Sequence, residues 1–160
     1  MNTTIIKKLS LSAILLQFLI QPATYAVNAE NILSDSQNTT TIDGVVARKG
    51  SIAATIANVR ALNALMQEAQ DSEALQEILL DQRALIPTLK VIGMFDLFSI
   101  DEWLDPTHGE GRAWVGVLYL EAFPEQMSAS IQQLLKLHQN NYSRILNEEI
   151  SKNLLMQSIN

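Results

Sequence analysis

Read for hydrophobic and polar positions, the chain opens with a short apolar run, crosses a polar stretch, and then carries a series of helical stripes. Leu9 to Ile20 is predominantly apolar, whereas Val27 to Thr41 is polar, aperiodic and rich in Asn, Ser and Thr. Thr39–Ile42 and Val45–Arg48 flank Asp43-Gly44, a dipeptide that supplies the two positive-φ positions of a type I′ turn, so a β-hairpin is predicted. Two isolated strands are marginal in water, and this hairpin must lean on the helices that follow. After Ser51, a candidate cap, Ile52, Ile56, Val59, Leu62 and Met66 recur at helical spacing and predict a first helix that buries that stripe. Ala53, Ala54, Ala57, Ala61 and Ala64 surround the stripe and allow close helix contact.

Asp71-Ser72 starts a second helix, with Glu73 and Glu77 near the positive end of its dipole. Its stripe is Leu75, Ile78, Leu79, Leu85, Ile86, Leu89 and Ile92, with Pro87 inside it and Gly93 as a natural stop. Proline removes a helical hydrogen bond, so a kink or a break is expected there. Met94 to Phe98 is an apolar connector, and Ser99 with Glu102 has the spacing of a capping box, which predicts a short helical turn through Leu104. Asp105-Pro106 ends that turn, and Gly109 and Gly111 precede a third long segment, Arg112 to Phe123. By periodicity that segment is strand or buried helix, and its length favours helix. From Pro124, Met127, Ile131, Leu134, Leu135, His138, Tyr142, Ile145, Leu146, Ile150 and Leu154 trace one stripe nearly to the end. A single helix of about thirty residues is longer than a small domain needs. The fold expected is mainly α: a small helical bundle preceded by a short β-hairpin, with a long amphipathic C-terminal helix.

The apolar run at the start changes the picture of where the protein acts. Lys7 and Lys8 precede it and Pro22-Ala23-Thr24-Tyr25-Ala26 closes it with small residues, the layout of a cleaved secretory signal. Roughly twenty apolar residues are needed to cross a bilayer, and this run falls short. The organisation read from the sequence is therefore a signal peptide over 1–26, a flexible linker over 27–41, and a single helical domain with its hairpin over 42–160. Cleavage falls after Ala26 or Ala29, and the expected location is periplasmic or secreted, with no stable membrane span after cleavage.

Composition narrows the function. The formal charge is −6 and becomes −8 once Lys7 and Lys8 leave with the signal, which contains no acid. An acidic body with no basic stripe is repelled by phosphate backbones, so nucleic-acid binding is not expected. There is no cysteine, which removes disulfides, thiolate nucleophiles and Cys-type zinc sites together. No Gly-x-Ser-x-Gly elbow, His-x-x-x-His pair or phosphate-cradling glycine loop is present, so no catalytic residue, metal ligand or cofactor is assigned.

The best concentration of chemistry is the stretch from Asp101 to Arg112. It places Glu102, Trp103, Asp105, His108, Glu110 and Arg112 in one short loop, where Glu102 with His108 or Glu110 has the residue types of an acid/base or metal pair. Capping, turn chemistry and burial account for the same residues without a ligand. Arg60, with Asn58 and Asn63, is a second polar group on an otherwise apolar helix. Asn is a poor helix former, and hydrogen bonds to a neighbouring loop, such as Arg60 to Asp96 or Arg112 to Glu102, would explain the group. The candidate binding residues are thus Arg60, Asp96, Glu102, Trp103, His108 and Arg112. His138 lies on the final stripe and reads as a half-buried packing histidine.

Asp43-Gly44, Gly50-Ser51-Ile52-Ala53-Ala54, Ala57-Asn58-Val59-Arg60, Asn63 and Ile86-Pro87-Thr88-Leu89 form a series of short blocks. Gly93-Met94-Phe95-Asp96-Leu97-Phe98, Glu102-Trp103-Leu104 and Gly111-Arg112-Ala113-Trp114-Val115-Gly116 continue it. On these blocks the segment from about residue 43 to 120 resembles a family of small uncharacterised bacterial proteins, a domain of unknown function. The resemblance implies one small, mainly helical domain and no activity; the signal, the linker and the helix after Pro124 lie outside it.

These readings lead to a non-enzymatic interaction or scaffold protein. Its stripe over residues 127–154, which outruns the core it can cover, would meet a protein partner or a second copy. On that reading, removing Asn147 to Asn160 leaves folding intact and abolishes association. The alternative is a small-ligand or metal-binding domain using the Trp103–Arg112 loop with Arg60. A hydrolase using Glu102 and His108 has the poorest motif support.

Overall fold

The computed structural model describes residues 36–67 and 73–157; the signal reading and most of the linker reading lie outside the described residues. The hairpin forms as its turn signal predicts. Strands β1 (Thr39–Ile42) and β2 (Val45–Arg48) pair antiparallel, with Ile42 opposite Val45 and Thr39 opposite Arg48. Asp43 at φ 47° and Gly44 at φ 80° make the turn, and β2 packs on the second helix, as a two-stranded sheet requires.

Helix α1 (Ser51–Gln67) follows, rotated from the expected orientation. Its buried residues are Ser51, Thr55, Leu62 and Met66, whereas Ile52 and Ile56 stay 45% and 46% exposed. Thr55 tolerates burial because its hydroxyl donates to the Ser51 carbonyl at 3.0 Å. Ser51 itself does not act as the expected cap: its hydroxyl donates back to the Arg48 carbonyl at 2.9 Å and ties the hairpin to the helix. Helix α2 (Glu73–Val91) runs through Pro87 without the expected break. Pro87 is exposed while Ile86 and Leu89 are fully buried, and inner-face burial of about 2 kcal/mol per residue offsets the proline penalty of about 3 kcal/mol. Gly93, at φ 81°, ends the helix as expected.

Short helices α3 (Met94–Leu97) and α4 (Ile100–Trp103) lead into a single turn at Pro106–His108 and then helix α5 (Glu110–Ala122). The segment left between strand and helix is thus helix. Every residue of α5 from Ala113 to Leu120 is buried, which is the pattern of a helix surrounded on all sides. It packs on α1, α2 and α4.

The C-terminal third corrects the expectation of one long helix. A turn at Pro124–Gln126 precedes α6 (Ala129–His138), a turn at Gln139–Asn141, and α7 (Arg144–Gln157). Two serines set the restarts. Ser128 Oγ accepts from the Ile131 amide at 3.2 Å, and Ser143 Oγ accepts from the Leu146 amide at 3.4 Å. Broken in this way, the stripe folds back and is absorbed by the core: Met127, Ile131, Leu135, Tyr142, Leu146 and Ile150 are all buried. It does not outrun the core, and truncation at Asn147 would remove buried Ile150 and Asn153. His138 is half-buried with its ring 6.4 Å from that of Tyr142. The molecule is mainly α with a leading hairpin, as the sequence implies, and no described helix is long and apolar enough to cross a membrane.

Candidate functional site

The Ser99–Arg112 stretch is built chiefly as a clamp. Ser99 Oγ accepts from the Glu102 amide at 3.4 Å, and the Glu102 carboxylate accepts from the Ser99 amide at 2.8 Å, which completes the expected capping box. The Ser99 amide and, at 3.1 Å, the Ser99 hydroxyl both donate to the Glu102 carboxylate and hold it below its usual range, and the positive charge of Arg112 adds to the effect. Asp105 accepts from the Thr107 hydroxyl and amide, and both lower its pKa. Tyr142 donates its hydroxyl to the Leu104 carbonyl from the far end of the chain.

The glycines on either side of Glu110 let the loop touch α1. Gly109, at φ 89°, sits against the Asn63 amide, and the Gly111 amide donates to Asn63 Oδ1 at 2.7 Å. A Cβ on Gly111 would lie 2.2 Å from the Val59 carbonyl oxygen, so only glycine permits this helix crossing. Asn63 therefore bonds a neighbouring loop, the explanation expected for the α1 asparagines. Glu110 Oε1 accepts from the Ser143 amide at 2.6 Å and anchors the start of α7.

The six candidate residues do not converge on one point. Trp103 is buried, and Arg112 lies over its ring at 5.1 Å and over Phe98 at 5.5 Å, an arrangement stabilised by the ring quadrupoles. Glu102 is near that guanidinium but is spent on the cap. Asp96 is exposed on α3, and Arg60 is exposed on α1 and belongs to no ion pair among the described residues. The expected Arg60–Asp96 link does not form. His108 is exposed, with Nε2 3.9 Å from Asp105. It does line a cavity of about 420 Å³ with Asn63, Met66, Thr107 and Glu110. In that cavity Asn63 and Glu110 already serve the fold, and among the described residues no group of three or more His, Asp or Glu is placed to hold a metal.

Two other features escaped the sequence reading. One is a cleft of about 370 Å³ between the hairpin, α1 and α2, lined by Arg48, Asn58, Asp81 and Thr88. Asn58 Nδ2 donates to Gln82 Oε1 at 3.2 Å, and Gln82 is fully buried. The other is the outer face of α1, where Ile52, Ala53, Ile56, Ala57 and Ala64 are exposed around Arg60. The inward assignment of Ile52 and Ile56 hid both.

Comparison with known families bears on the chain as a whole. One family model, described as "Domain of unknown function (DUF7709)", matches residues 25–123, more than half of the sequence. The chain belongs to the DUF7709 family. The DUF7709 match begins within the N-terminal stretch, ahead of the 43–120 segment on which the resemblance was read, and ends at Phe123 just after α5. It thus includes the hairpin, α1, the clamp and α5, and leaves α6 and α7 outside. No curated protein and no solved structure matches the chain.

Proposed function

We propose that this DUF7709 protein is an exported, non-enzymatic scaffold protein that self-associates through the outer face of α1. The observation that carries the reading is the composition of that face. From Ile52 to Ala64 it presents two isoleucines, three alanines and one charge, Arg60. Helix α1 packs on α2 and α5, and this apolar face stays exposed among the described residues, the arrangement of a contact surface. Ile52, Ile56 and Arg60 form one row at four-residue spacing, and Ala53 and Ala57 form a shallow row beside it. Ridge beside groove is self-complementary: across a two-fold axis each isoleucine ridge enters the alanine groove of the second copy.

The four half-exposed isoleucines of such a pair supply roughly 1 kcal/mol each when covered, about half the full-burial value. Set against the entropy of association, this gives a weak, reversible dimer rather than an obligate one. Export is supported by the Lys7-to-Ala26 pattern, and the secreted or periplasmic location rests on it alone. Sequencing the mature N-terminus tests that part, since an intact Met1 on a cytosolic protein contradicts it.

Sedimentation velocity over a concentration series tests self-association. The wild-type chain is expected to shift from monomer toward dimer as concentration rises, and Ile56→Glu to remain monomeric with its melting temperature unchanged. A wild-type monomer at every concentration overturns the proposal. A large fall in the melting temperature of Ile56→Glu overturns it too, since the face would then be covered by its own chain.

A further inference from the structure

We propose that the cleft between the hairpin and helices α1 and α2 binds a small zwitterion, an α-amino acid with an apolar side chain being the simplest. The cleft holds about 370 Å³, near the lower end of ligand pockets at roughly 300–1,000 Å³, so the ligand is small. Arg48 lines it from β2 and Asp81 from α2, and neither belongs to an ion pair among the described residues. Opposite charges that share a cleft without pairing present separate partners for a carboxylate and an ammonium. Val46 and Leu85 add apolar wall between them.

Gln82 sharpens the argument. It is fully buried, its Nε2 has no hydrogen-bond partner among the described residues, and its Oε1 accepts from Asn58. A buried unmatched amide costs about 1–3 kcal/mol, which an apolar residue of the same size would avoid. What the glutamine provides is position: its Oε1 accepts from Asn58 Nδ2 and fixes that amide at the wall of the cleft. Asp81 receives an ammonium, Arg48 receives a carboxylate in a two-point contact, and Asn58 and Thr88 complete the polar lining. This site lies on the opposite side of α1 from the clamp at Asn63 and is independent of self-association.

Isothermal titration with L-leucine, N-acetyl-L-leucine and L-leucinamide tests it. L-leucine is expected to bind, and each analogue, lacking one charge, to bind at least about tenfold more weakly. Arg48→Gln and Asp81→Asn are both exposed substitutions, expected to keep the melting temperature and to lose L-leucine affinity by about the same factor. Absence of a titration signal with L-leucine overturns the proposal. So does equal binding of the blocked analogues, and so does binding that survives both substitutions, which would place the ligand elsewhere.

Discussion

Gly111→Ala tests whether the crossing of α1 and α5 organises the domain. The added methyl carbon would stand 2.2 Å from the Val59 carbonyl oxygen and 3.1 Å from Asn63 Oδ1, where ordinary contact begins near 3.4 Å. Val59 offers backbone, which cannot rotate aside, so the two helices must separate by about 1 Å. Overpacking of this kind costs about 1–3 kcal/mol, and a clash with backbone belongs at the upper end. Separation also lengthens the 2.7 Å bond from the Gly111 amide to Asn63, a further loss of about 1 kcal/mol. The better helix propensity of alanine returns at most about 1 kcal/mol. The net is about 3 kcal/mol, a large share of a typical domain's 5–15 kcal/mol, and the melting temperature should fall by roughly 10 °C. Gly116→Ala is the internal control. Its nearest neighbours are Leu104 Cδ2 at 3.0 Å and Trp103 Cβ at 3.1 Å, and the leucine can turn, so a loss of about 1 kcal/mol is expected. Urea unfolding followed by far-ultraviolet circular dichroism measures both. A Gly111→Ala change below about 0.5 kcal/mol, or one smaller than that of Gly116→Ala, would show that the α1–α5 crossing does not depend on glycine at residue 111.

Burial pushes the Tyr142 phenol up to about 12, with the charges of Asp105 and Glu110 adding to it. Its contribution to stability is therefore full below the ordinary tyrosine value near 10 and is lost as pH rises through 12. Spectrophotometric titration should show a late-ionising tyrosine that disappears in Tyr142→Phe, a variant also expected to be destabilised by about 1 kcal/mol at neutral pH. Ser99→Ala should cost about 1 kcal/mol in urea unfolding, and the cost should shrink in acid as Glu102, whose carboxyl is held low in the folded chain, becomes protonated. Gln82→Met should be neutral or stabilising in thermal melts, because it removes an unmatched buried amide, while weakening L-leucine binding. Ending the chain at Leu146 removes buried Ile150 and Asn153, so loss of cooperative unfolding is expected in calorimetry.

Local chemistry was the part of the fold most legible in the sequence. Asp43-Gly44, Gly93 and the Ser99–Glu102 box each specify a backbone geometry within a few residues, and each is found where expected. Helix α5 was legible in extent because a segment that apolar has to be buried. What periodicity misjudged was orientation and continuity. On α1 the isoleucines seemed the natural inner face, yet the Ser51 and Thr55 hydroxyls bond backbone carbonyls and the Asn58 amide bonds Gln82, which leaves the isoleucines outside. The final stripe looked continuous because its apolar residues keep helical spacing across Asn140, Asn141 and Ser143, and the capping capacity of Ser128 and Ser143 decides the breaks. Of the candidate site, the clamp around Glu102, Trp103 and Arg112 was legible as a cluster, since its residues are close in sequence. The cleft was not, because Arg48, Asn58 and Asp81 meet only when hairpin, α1 and α2 assemble.

Because the chain has no cysteine, one introduced thiol reports on self-association through α1 without background. Ala57→Cys places a thiol beside the proposed two-fold axis on α1, and Leu137→Cys places one on the exposed side of α6. A symmetric disulfide requires Cα atoms within about 7 Å, which only a pair meeting through α1 provides at residue 57. Under mild oxidation Ala57→Cys is expected to form covalent dimer rapidly and Leu137→Cys to form it slowly, at a collision-limited rate. Equal rates from the two positions would contradict self-association through the outer face of α1.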